Sequence, residues 1–369
     1  MMKKNISHVI TGLGTGGAER FLLNLLEGPY GSAFNHSVIS LTTMGTYGSQ
    51  LRDLGIDVRA LRIKTSPWAV AALPKLVRDQ RPDIVQGWMY HGNLAASFAR
   101  PHEAKLIWNV LHGLDNFSEE KRKTRLVIQA NAHFSSRPEK VLFNAEISRQ
   151  QHLAAGFCEE NSEVIPNGFD FEKFYLDSGL RAELRKRLCI PAETVVIGHL
   201  GRFHPVKDHG NFLQAGLAVL ANEPDVHLLL AGQGVEYATK FFHEKIPKLL
   251  RPRVHLLGDR RDVPSVLSAM DIFTQSSRAE GFPNVLGEAM STGLACIATS
   301  VGDSAFVLDD TGLIVRPESP TSLETAMRKF LADPSMRRIS GERARERIKE
   351  RFPLDSTAQA YISLCRSFY

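Results

Sequence analysis

Hydrophobic residues are spaced along this chain in two alternating ways. Short runs of β-branched and other apolar residues, such as Asn5–Thr11 and His36–Leu41, predict β-strands. The stretches between them, such as Ala18–Glu27, carry apolar residues three and four positions apart, which predicts amphipathic helices. Strands that alternate with helices form a parallel sheet covered on both faces. The pattern therefore predicts an α/β fold.

The alternation continues to Ile165 and then stops. Turn residues at Pro166-Asn167-Gly168-Phe169-Asp170 mark the stop, so we place a domain boundary there. The further elements predicted before this boundary are helices at Trp68–Gln80, Asn93–Ala99, Lys121–Asn131 and Ala145–Ala155, and strands at Asp83–Gln86, Lys105–Asn109, Lys140–Phe143 and Glu163–Ile165.

A second alternating series predicts another doubly wound unit after the boundary. Its predicted elements are Thr194–Leu200, Asn211–Leu220, Val226–Ala231, Val254–Leu257, Asp271–Thr274 and Val285–Ser291. The segment Ser322–Tyr369 is predicted to be helical, and we interpret the Arg and Glu residues of Arg337–Arg351 as a solvated helix face. The expected fold class is thus two Rossmann-like domains, residues 1–168 and 169–352.

The composition fits a globular protein with two cores. The 369 residues are 43% hydrophobic and 23% charged, which excludes disorder and a coiled coil as overall descriptions. The net charge of +5 favours anionic partners without indicating nucleic acid. Four widely spaced cysteines predict reduced thiols that lie in the protein core. Because neither a signal-peptide core nor a run of about 18 apolar residues is found, we expect a cytoplasmic protein.

A glycine-rich stretch follows the first predicted strand. Gly12-Leu13-Gly14-Thr15-Gly16-Gly17 satisfies G-x-G-x-x-G and opens a helix. A dinucleotide site also needs an acidic residue near the end of the second strand, but that strand ends Ser40-Leu41-Thr42-Thr43, which argues against a dehydrogenase. The glycines either let backbone N–H groups approach an anion or simply form a tight turn.

Two stretches of the second half point to an anionic ligand. Arg202 and Lys207 lie on one strand-to-helix loop, where they can converge on a diphosphate. Glu280 precedes a predicted helix and Glu288 lies on it, so both can face a ligand at its N-terminus. We expect the N–H groups of Phe282 to Val285 to donate hydrogen bonds to phosphate oxygens there. We also expect a carboxylate on this helix to accept hydrogen bonds from ribose hydroxyls.

Together, five motifs of this chain resemble the retaining glycosyltransferases of family 4, which have the GT-B fold. The motifs are Gly14-x-Gly16-Gly17-Ala18-Glu19, Ile165-Pro166-Asn167-Gly168, Gly201-Arg202 with Lys207, Ala231-Gly232-Gln233-Gly234, and Glu280-x₇-Glu288. The resemblance implies that the second domain binds a UDP- or GDP-linked sugar and the first binds the acceptor, with the two domains facing across a cleft. It also implies that the last helix, 353–369, crosses back to the first domain.

The resemblance assigns roles to individual residues. It implies that Arg202 and Lys207 neutralise the leaving diphosphate, that Glu288 binds the ribose and that Glu280 contacts the donor sugar. The other donor-binding residues it implies are Gly16, Gly17, Gly232, Arg260, Gly281, Phe282, Pro283, Asn284 and Val285.

Two histidines follow strands of the first domain, and a lone histidine is as often structural as catalytic. The resemblance favours His112 as the residue beside the donor sugar, with His91 as the fallback. Asn144 and Glu146 match an Asn-x-Glu of close relatives, which indicates scaffold or acceptor contacts.

The expected chemistry needs no cofactor and no metal. The sequence contains no Asp-x-Asp motif, and two cations with a helix N-terminus can stabilise a leaving diphosphate. One alternative is a sugar-nucleotide epimerase of the same fold, which would need acid and base carboxylates that the first domain does not offer. Another is a non-catalytic protein that binds sugar nucleotides.

The acceptor is the least visible part of the sequence. Trp68 and the basic cluster Lys121–Arg125 suit the edge of an anionic membrane, although solvated helix faces explain them equally well. The resemblance to polysaccharide-assembly members of the family implies a lipid-linked glycan precursor of a cell-surface polysaccharide, such as lipopolysaccharide. We therefore expect a peripheral enzyme at the inner face of the plasma membrane, with a soluble acceptor as the alternative.

Overall fold

The computed structural model describes residues 3–14, 16–114 and 122–369. These residues form two compact units. Unit 1 consists of Met1–Gly168 together with Leu354–Tyr369, and unit 2 consists of Phe169–Pro353. The division falls between two residues of the turn sequence that follows Ile165. Lys121, where a helix was expected to begin, lies outside the described residues.

Unit 1 is built around a parallel sheet with the strand order β3-β2-β1-β4-β5-β6-β7. The strands are β1 (Asn5–Ile10), β2 (Asn35–Ser40), β3 (Asp57–Ala60), β4 (Ile84–Trp88), β5 (Lys105–Val110), β6 (Lys140–Phe143) and β7 (Ser162–Val164). Strand β1 pairs with β2 on one side and with β4 on the other. The strand order changes direction at β1, because β2 and β3 lie on one side of it and β4 to β7 on the other. In open parallel sheets, ligands bind beyond the carboxyl ends of the strands at such a point.

Helices pack on both faces of this sheet. They are α1 (Gly17–Glu27), α2 (Pro29–Ala33), α3 (Gly45–Asp53), α4 (Leu73–Asp79), α5 (Met89–Ala99), α6 (Arg122–Phe134), α7 (Glu146–Ala154) and α16 (Leu354–Arg366). Val9 and Ile10 are neighbours on β1 but belong to different hydrophobic clusters, as strand geometry requires. Each face of the sheet therefore carries its own core.

The last helix, α16, is part of the first of these cores. Tyr361 is buried and donates a hydrogen bond from its hydroxyl to Asn109 Oδ1 at 2.9 Å. At its start, a Cβ on Gly168 would overlap the backbone of Leu354. The polar contact and the close approach together fix the helix on unit 1.

Unit 2 has a parallel sheet in the order β10-β9-β8-β11-β12-β13. Its strands are β8 (Val195–Leu200), β9 (Val226–Ala231), β10 (Val254–Leu256), β11 (Ile272–Gln275), β12 (Ala295–Thr299) and β13 (Leu313–Val315). Its helices are α8 (Ser178–Arg187), α9 (His209–Asn222), α10 (Lys240–Lys245), α11 (Val263–Ser268), α12 (Asn284–Thr292), α13 (Ser304–Leu308), α14 (Pro320–Ala332) and α15 (Pro334–Arg351). Strands β8, β9 and β12 contribute to one core with α9 and α14.

Some elements differ from the sequence-based expectation. The predicted helix Trp68–Gln80 is instead a 3-10 helix, Pro67–Ala72, followed by α4. Pro74 lies in the first turn of α4, where its missing N–H is tolerated, and it prevents one continuous helix. Helix α3 and strand β3 were not predicted, because α3 contains two glycines and β3 is short and charged.

The charged face of α15 is less solvated than expected. Arg345 donates to the carbonyl of Phe174 at 2.9 Å and also to that of Ser291. Arg347 Nε donates to the carbonyl of Val307 at 2.9 Å. These arginines cap backbone groups of unit 2, so part of the charge run has a structural role.

The cysteines are all free, and they differ in exposure. Cys296 and Cys365 are buried, whereas Cys189 is exposed, so not every thiol lies in a core. Within 3–14, 16–114 and 122–369, no helix combines the length and the apolarity that crossing a bilayer requires.

Candidate functional site

Two loops of unit 2 lie where its strand order reverses. Strand β8 pairs with β9 on one side and with β11 on the other. Residues 201–208 follow β8 and lead into α9, and residues 276–283 follow β11 and lead into α12. Because the carboxyl ends of neighbouring parallel strands meet at one edge, these loops lie side by side. This edge is the candidate donor site.

An ion pair joins the two loops. Lys207 Nζ donates to Glu280 Oε1 at 2.5 Å, and the same oxygen accepts a hydrogen bond from Ser277 Oγ at 2.6 Å. The side chains of Lys207 and Glu280 are 26% and 12% exposed, so solvent still reaches the pair. The structure thus brings together two residues that the sequence singled out. Ser277 was missed, although it lies three residues before Glu280.

Other side chains hold the backbone that carries Lys207. Asp208 has a left-handed conformation (φ 46°), and its Oδ1 caps α9 by accepting from the N–H of Asn211 at 3.3 Å. Arg278 Nε donates to Asp208 Oδ2 at 2.9 Å. Ser276 Oγ lies within hydrogen-bonding distance of the carbonyls of Lys207 and Asp208. These contacts fix the backbone of the loop within unit 2.

The start of α12 provides fewer N–H donors than the sequence suggested. Pro283 has no N–H, and the N–H of Asn284 donates to the carbonyl of Phe282 at 3.0 Å. The N–H groups of Val285 and Leu286, in the first turn, have no intrahelical acceptor. The positive end of the helix dipole remains at this edge, and the N–H donors of its first turn belong to Val285 and Leu286.

Glu288 is buried on the second turn of α12, with 4% of its surface exposed. Its neighbour Gly287 faces Phe169, and a Cβ at Gly287 would overlap the Phe169 ring. Phe169 in turn stacks on Phe282, with ring centroids 6.0 Å apart. This close packing requires glycine and sets the position of α12, and hence of Glu288.

Two glycines let neighbouring loops approach this edge. Gly232 has a φ of 148°, and a Cβ there would overlap the carbonyl of Gly201. Gly302 has a φ of 50°, and a Cβ there would overlap the carbonyls of Glu280 and Gly281. Gly232 was predicted to bind the sugar donor. In the structure, the absence of a Cβ at Gly232 lets its backbone pack against the backbone of Gly201 and Arg202.

The two arginines of the predicted set are placed differently. Arg202 is exposed, and its guanidinium makes no ion pair within the residues that the structure describes. Arg260 donates twice to the carboxylate of Asp262, at 2.8 and 2.5 Å. Arg202 is thus available to an anion, whereas the charge of Arg260 is compensated.

Two histidines lie close to the Lys207 loop. Burial lowers the pKa of His199 well below its usual value, and burial also lowers the pKa of His209 to about 4. The positive charge of Lys207 contributes to both shifts. Both imidazoles are therefore neutral at neutral pH and add no positive charge to this loop.

In unit 1, the glycine-rich loop follows β1 and precedes α1. Gly16 is the N-cap residue of α1, which begins at Gly17. Gly45, with a φ of 52°, supports this loop because a Cβ there would overlap the carbonyl of Leu13. Sequence reasoning missed Gly45, and Thr15 lies outside the described residues.

The loop that carries His112 is held by α7. Ser148 Oγ donates to the carbonyl of His112 at 2.6 Å, and the N–H of Leu114 donates to Gln151 Oε1 at 2.6 Å. Asn144, just before α7, is buried, and its Oδ1 accepts no hydrogen bond from the described residues. The structure therefore places α7 beside the His112 loop, and Asn144 lies two residues before that helix.

His112 also contacts Tyr90, which a second histidine orients. The Tyr90 and His112 rings meet edge to face, with centroids 6.3 Å apart. His152 Nδ1 faces the carbonyl of Ser148 at 2.7 Å and so carries the proton, which leaves Nε2 to accept from the Tyr90 hydroxyl at 2.8 Å. Burial lowers the pKa of His152 to about 4, which keeps it neutral. His91 lies on α5, and desolvation lowers its pKa.

No cluster of three or more His, Cys, Asp or Glu side chains suited to a metal occurs in the parts of the chain that the structure describes.

Comparison with known proteins places the chain among glycosyltransferases. Residues 194–333 match the family described as "Glycosyl transferases group 1", and residues 15–173 match "Glycosyltransferase Family 4". The Bacillus anthracis N-acetyl-alpha-D-glucosaminyl L-malate synthase is 32% identical over 55% of this chain, and the match spans about half (52%) of that enzyme.

Two further proteins resemble most of the chain. The Escherichia coli UDP-Gal:alpha-D-GlcNAc-diphosphoundecaprenol alpha-1,3-galactosyltransferase is 25% identical over 80% of this chain and 79% of its own length. The crystal structure of Anabaena HepE with UDP and glucose superposes with a TM-score of 0.86 at 22% identity, covering 99% of this chain and all of HepE. The fold is therefore GT-B, as expected. Together with that fold, the two family matches support a glycosyltransferase of the family 4 type.

Proposed function

We propose that this protein is a retaining glycosyltransferase that moves a sugar from a UDP- or GDP-linked donor to an acceptor hydroxyl. The observation that carries the proposal is the grouping of Lys207, Glu280 and the start of α12 at one edge of the unit 2 sheet. A cation and a helix N-terminus suit a diphosphate, and a carboxylate suits sugar hydroxyls. Buried Glu288 is proposed to accept the ribose hydroxyls.

The proposed reaction breaks the bond between the anomeric carbon and the diphosphate oxygen. The acceptor oxygen bonds to the same carbon from the same face, and its proton passes to the departing phosphate. Arg202, Lys207 and the first turn of α12 stabilise the charge that develops on the diphosphate. Because these groups supply the stabilisation, we propose that the reaction needs no metal and no cofactor. His112 is proposed to contact the donor sugar.

We propose a lipid-linked glycan precursor as the acceptor. The named acceptor of the E. coli galactosyltransferase, a diphosphoundecaprenol, supports this class. The 3-10 helix before α4 adds a second argument, because Trp68 is 88% exposed and Val70 is 47% exposed. Cations surround these apolar side chains in sequence: Arg62, Lys64, Lys75 and Arg78. Arg122 and Lys123 are exposed as well, whereas Lys121 lies outside the described residues.

An exposed tryptophan among cations suits the interface of an anionic membrane, such as the inner face of the plasma membrane. Flotation with anionic liposomes tests this part of the proposal. The protein should float at low salt and be released at high salt, and Trp68→Ser should float less than the parent. Recovery of the parent in the soluble fraction at every salt concentration would favour a soluble acceptor instead.

The activity itself is tested with a panel of UDP- and GDP-sugars. We expect slow hydrolysis of one donor without acceptor, and faster sugar transfer when polyprenyl-diphosphate glycans are added. Proton NMR of the first product would report the anomeric configuration. Return of a nucleotide sugar with altered configuration would indicate an epimerase, and binding without turnover would indicate a non-catalytic protein.

A further inference from the structure

One carboxylate oxygen of Glu280 is shared between two hydrogen-bond donors. Its Oε1 accepts from Lys207 Nζ at 2.5 Å and from Ser277 Oγ at 2.6 Å. Ser277 is buried, and its carbonyl accepts from Thr299 Oγ1 at 2.7 Å, so strand β12 holds it in place. Glu280 can therefore lose the lysine and still keep one hydrogen bond.

In the proposed function Lys207 also binds the diphosphate of the donor. The diphosphate is then a second anion, besides Glu280, that attracts the ammonium group of Lys207. The backbone of Lys207 is fixed through Ser276 and Asp208, so the choice between the two anions is made by the side chain alone. Movement of Nζ toward a phosphate weakens the contact to Glu280. A largely buried carboxylate that loses its cation is costly unless other donors replace it.

We propose that Glu280, anchored by Ser277, competes with the bound diphosphate for Lys207. This inference rests on the proposed function and deepens it. Hydroxyl groups of a donor sugar replace the lysine at Glu280, whereas a nucleoside diphosphate without its sugar offers no such donors. The contact between Lys207 and Glu280 therefore makes the site bind the nucleotide sugar in preference to the nucleoside diphosphate without its sugar. After transfer, the recovered ion pair assists release of the nucleoside diphosphate.

Calorimetry with UDP and GDP, the nucleoside diphosphates that carry no sugar, tests this competition without any turnover. Glu280→Gln keeps an acceptor for Ser277 but removes the charge that attracts Lys207. We expect this variant to bind the preferred diphosphate about tenfold more tightly than the parent, as for the loss of a competing charge-assisted hydrogen bond. Glu324→Gln removes an acidic group from α14 of the same unit and is the matched control, with an affinity within about twofold of the parent.

A double-mutant cycle separates competition from simple repulsion between Glu280 and the phosphates. With Lys207→Met present, competition predicts that Glu280→Gln no longer improves binding of the diphosphate. An equal improvement in both backgrounds would mean repulsion and would overturn the inference.

Unchanged or weaker binding by Glu280→Gln alone would overturn the inference as well, while leaving the donor site itself intact. Failure of the parent protein to bind either UDP or GDP is a different result, because it removes the proposed function on which the inference rests.

Discussion

A chain of neutral histidines in unit 1 should make that unit sensitive to acid. Trp88 Nε1 donates to His8 Nδ1 at 3.1 Å, so the proton of His8 is on Nε2, which faces His36 Nδ1 at 2.9 Å. The proton of His36 is then on Nε2, which faces the carbonyl of Tyr30 at 3.0 Å. Each imidazole is neutral in this arrangement. A further proton on either ring would place two N–H groups against each other.

The size of the effect follows from the pKa of His36. Burial lowers this pKa to about 4, with a small further lowering from the charge of Lys3, although the hydrogen bond to Tyr30 opposes the shift. In the unfolded chain the pKa is about 6.5, so the unfolded state binds more protons between these values. The stabilisation is therefore complete above pH 6.5 and is lost as the pH falls toward 4. From pH 7 to pH 5, the loss is about 2 kcal/mol for His36 alone.

Tryptophan fluorescence during urea unfolding measures this loss in the right unit. The chain has three tryptophans, Trp68, Trp88 and Trp108, and all belong to unit 1. His36→Gln should reduce the difference in unfolding free energy between pH 7 and pH 5 by about 2 kcal/mol. His133→Gln replaces an exposed histidine on α6 and is the matched control. Equal pH dependence in the parent and His36→Gln would refute the reasoning.

Four further expectations concern the candidate functional residues of the two units. Lys207→Ala should lower kcat by about 100-fold, because a preorganised donor to the developing charge is lost, and a change in KM alone would contradict this role. Glu288→Ala should weaken diphosphate binding by about 1.5–3 kcal/mol in calorimetry, and unchanged affinity would remove Glu288 from the site. Turnover should survive EDTA, and loss of activity that a divalent ion restores would show that a metal is required. Ser148→Ala should lower kcat without altering diphosphate affinity, since Ser148 holds the carbonyl of His112.

The strands were predictable where local sequence determines them. Strand β9 and β6 occur at the predicted bounds, because runs of buried apolar residues carry their own pattern. Helix α8 was missed because its apolar residues are few, and it is held by tertiary contacts such as the pairs from Arg181 and Arg185 to Asp271. Such contacts join residues distant in sequence, and no local pattern reports them.

The same distinction applies to the site. Lys207 and Glu280 were predictable because they stand in recognisable motifs. Ser277 and Asp208 were not, because their roles depend on distances that only the folded chain creates. The expected N–H donors of α12 were partly wrong for a simpler reason, since Pro283 cannot donate.

The junction between the units has a consequence for exchanging them between proteins. Phe169 must stay with unit 2, because its ring packs where a Cβ at Gly287 would lie. Gly168 must stay with α16, because its backbone packs against Leu354. Chimeras that exchange the two units should therefore be cut between residues 168 and 169 and between 353 and 354. If the first cut were made after residue 169 instead, Phe169 and Gly287 would come from different proteins. Helix α12 would then lose the Phe169 ring against which it packs.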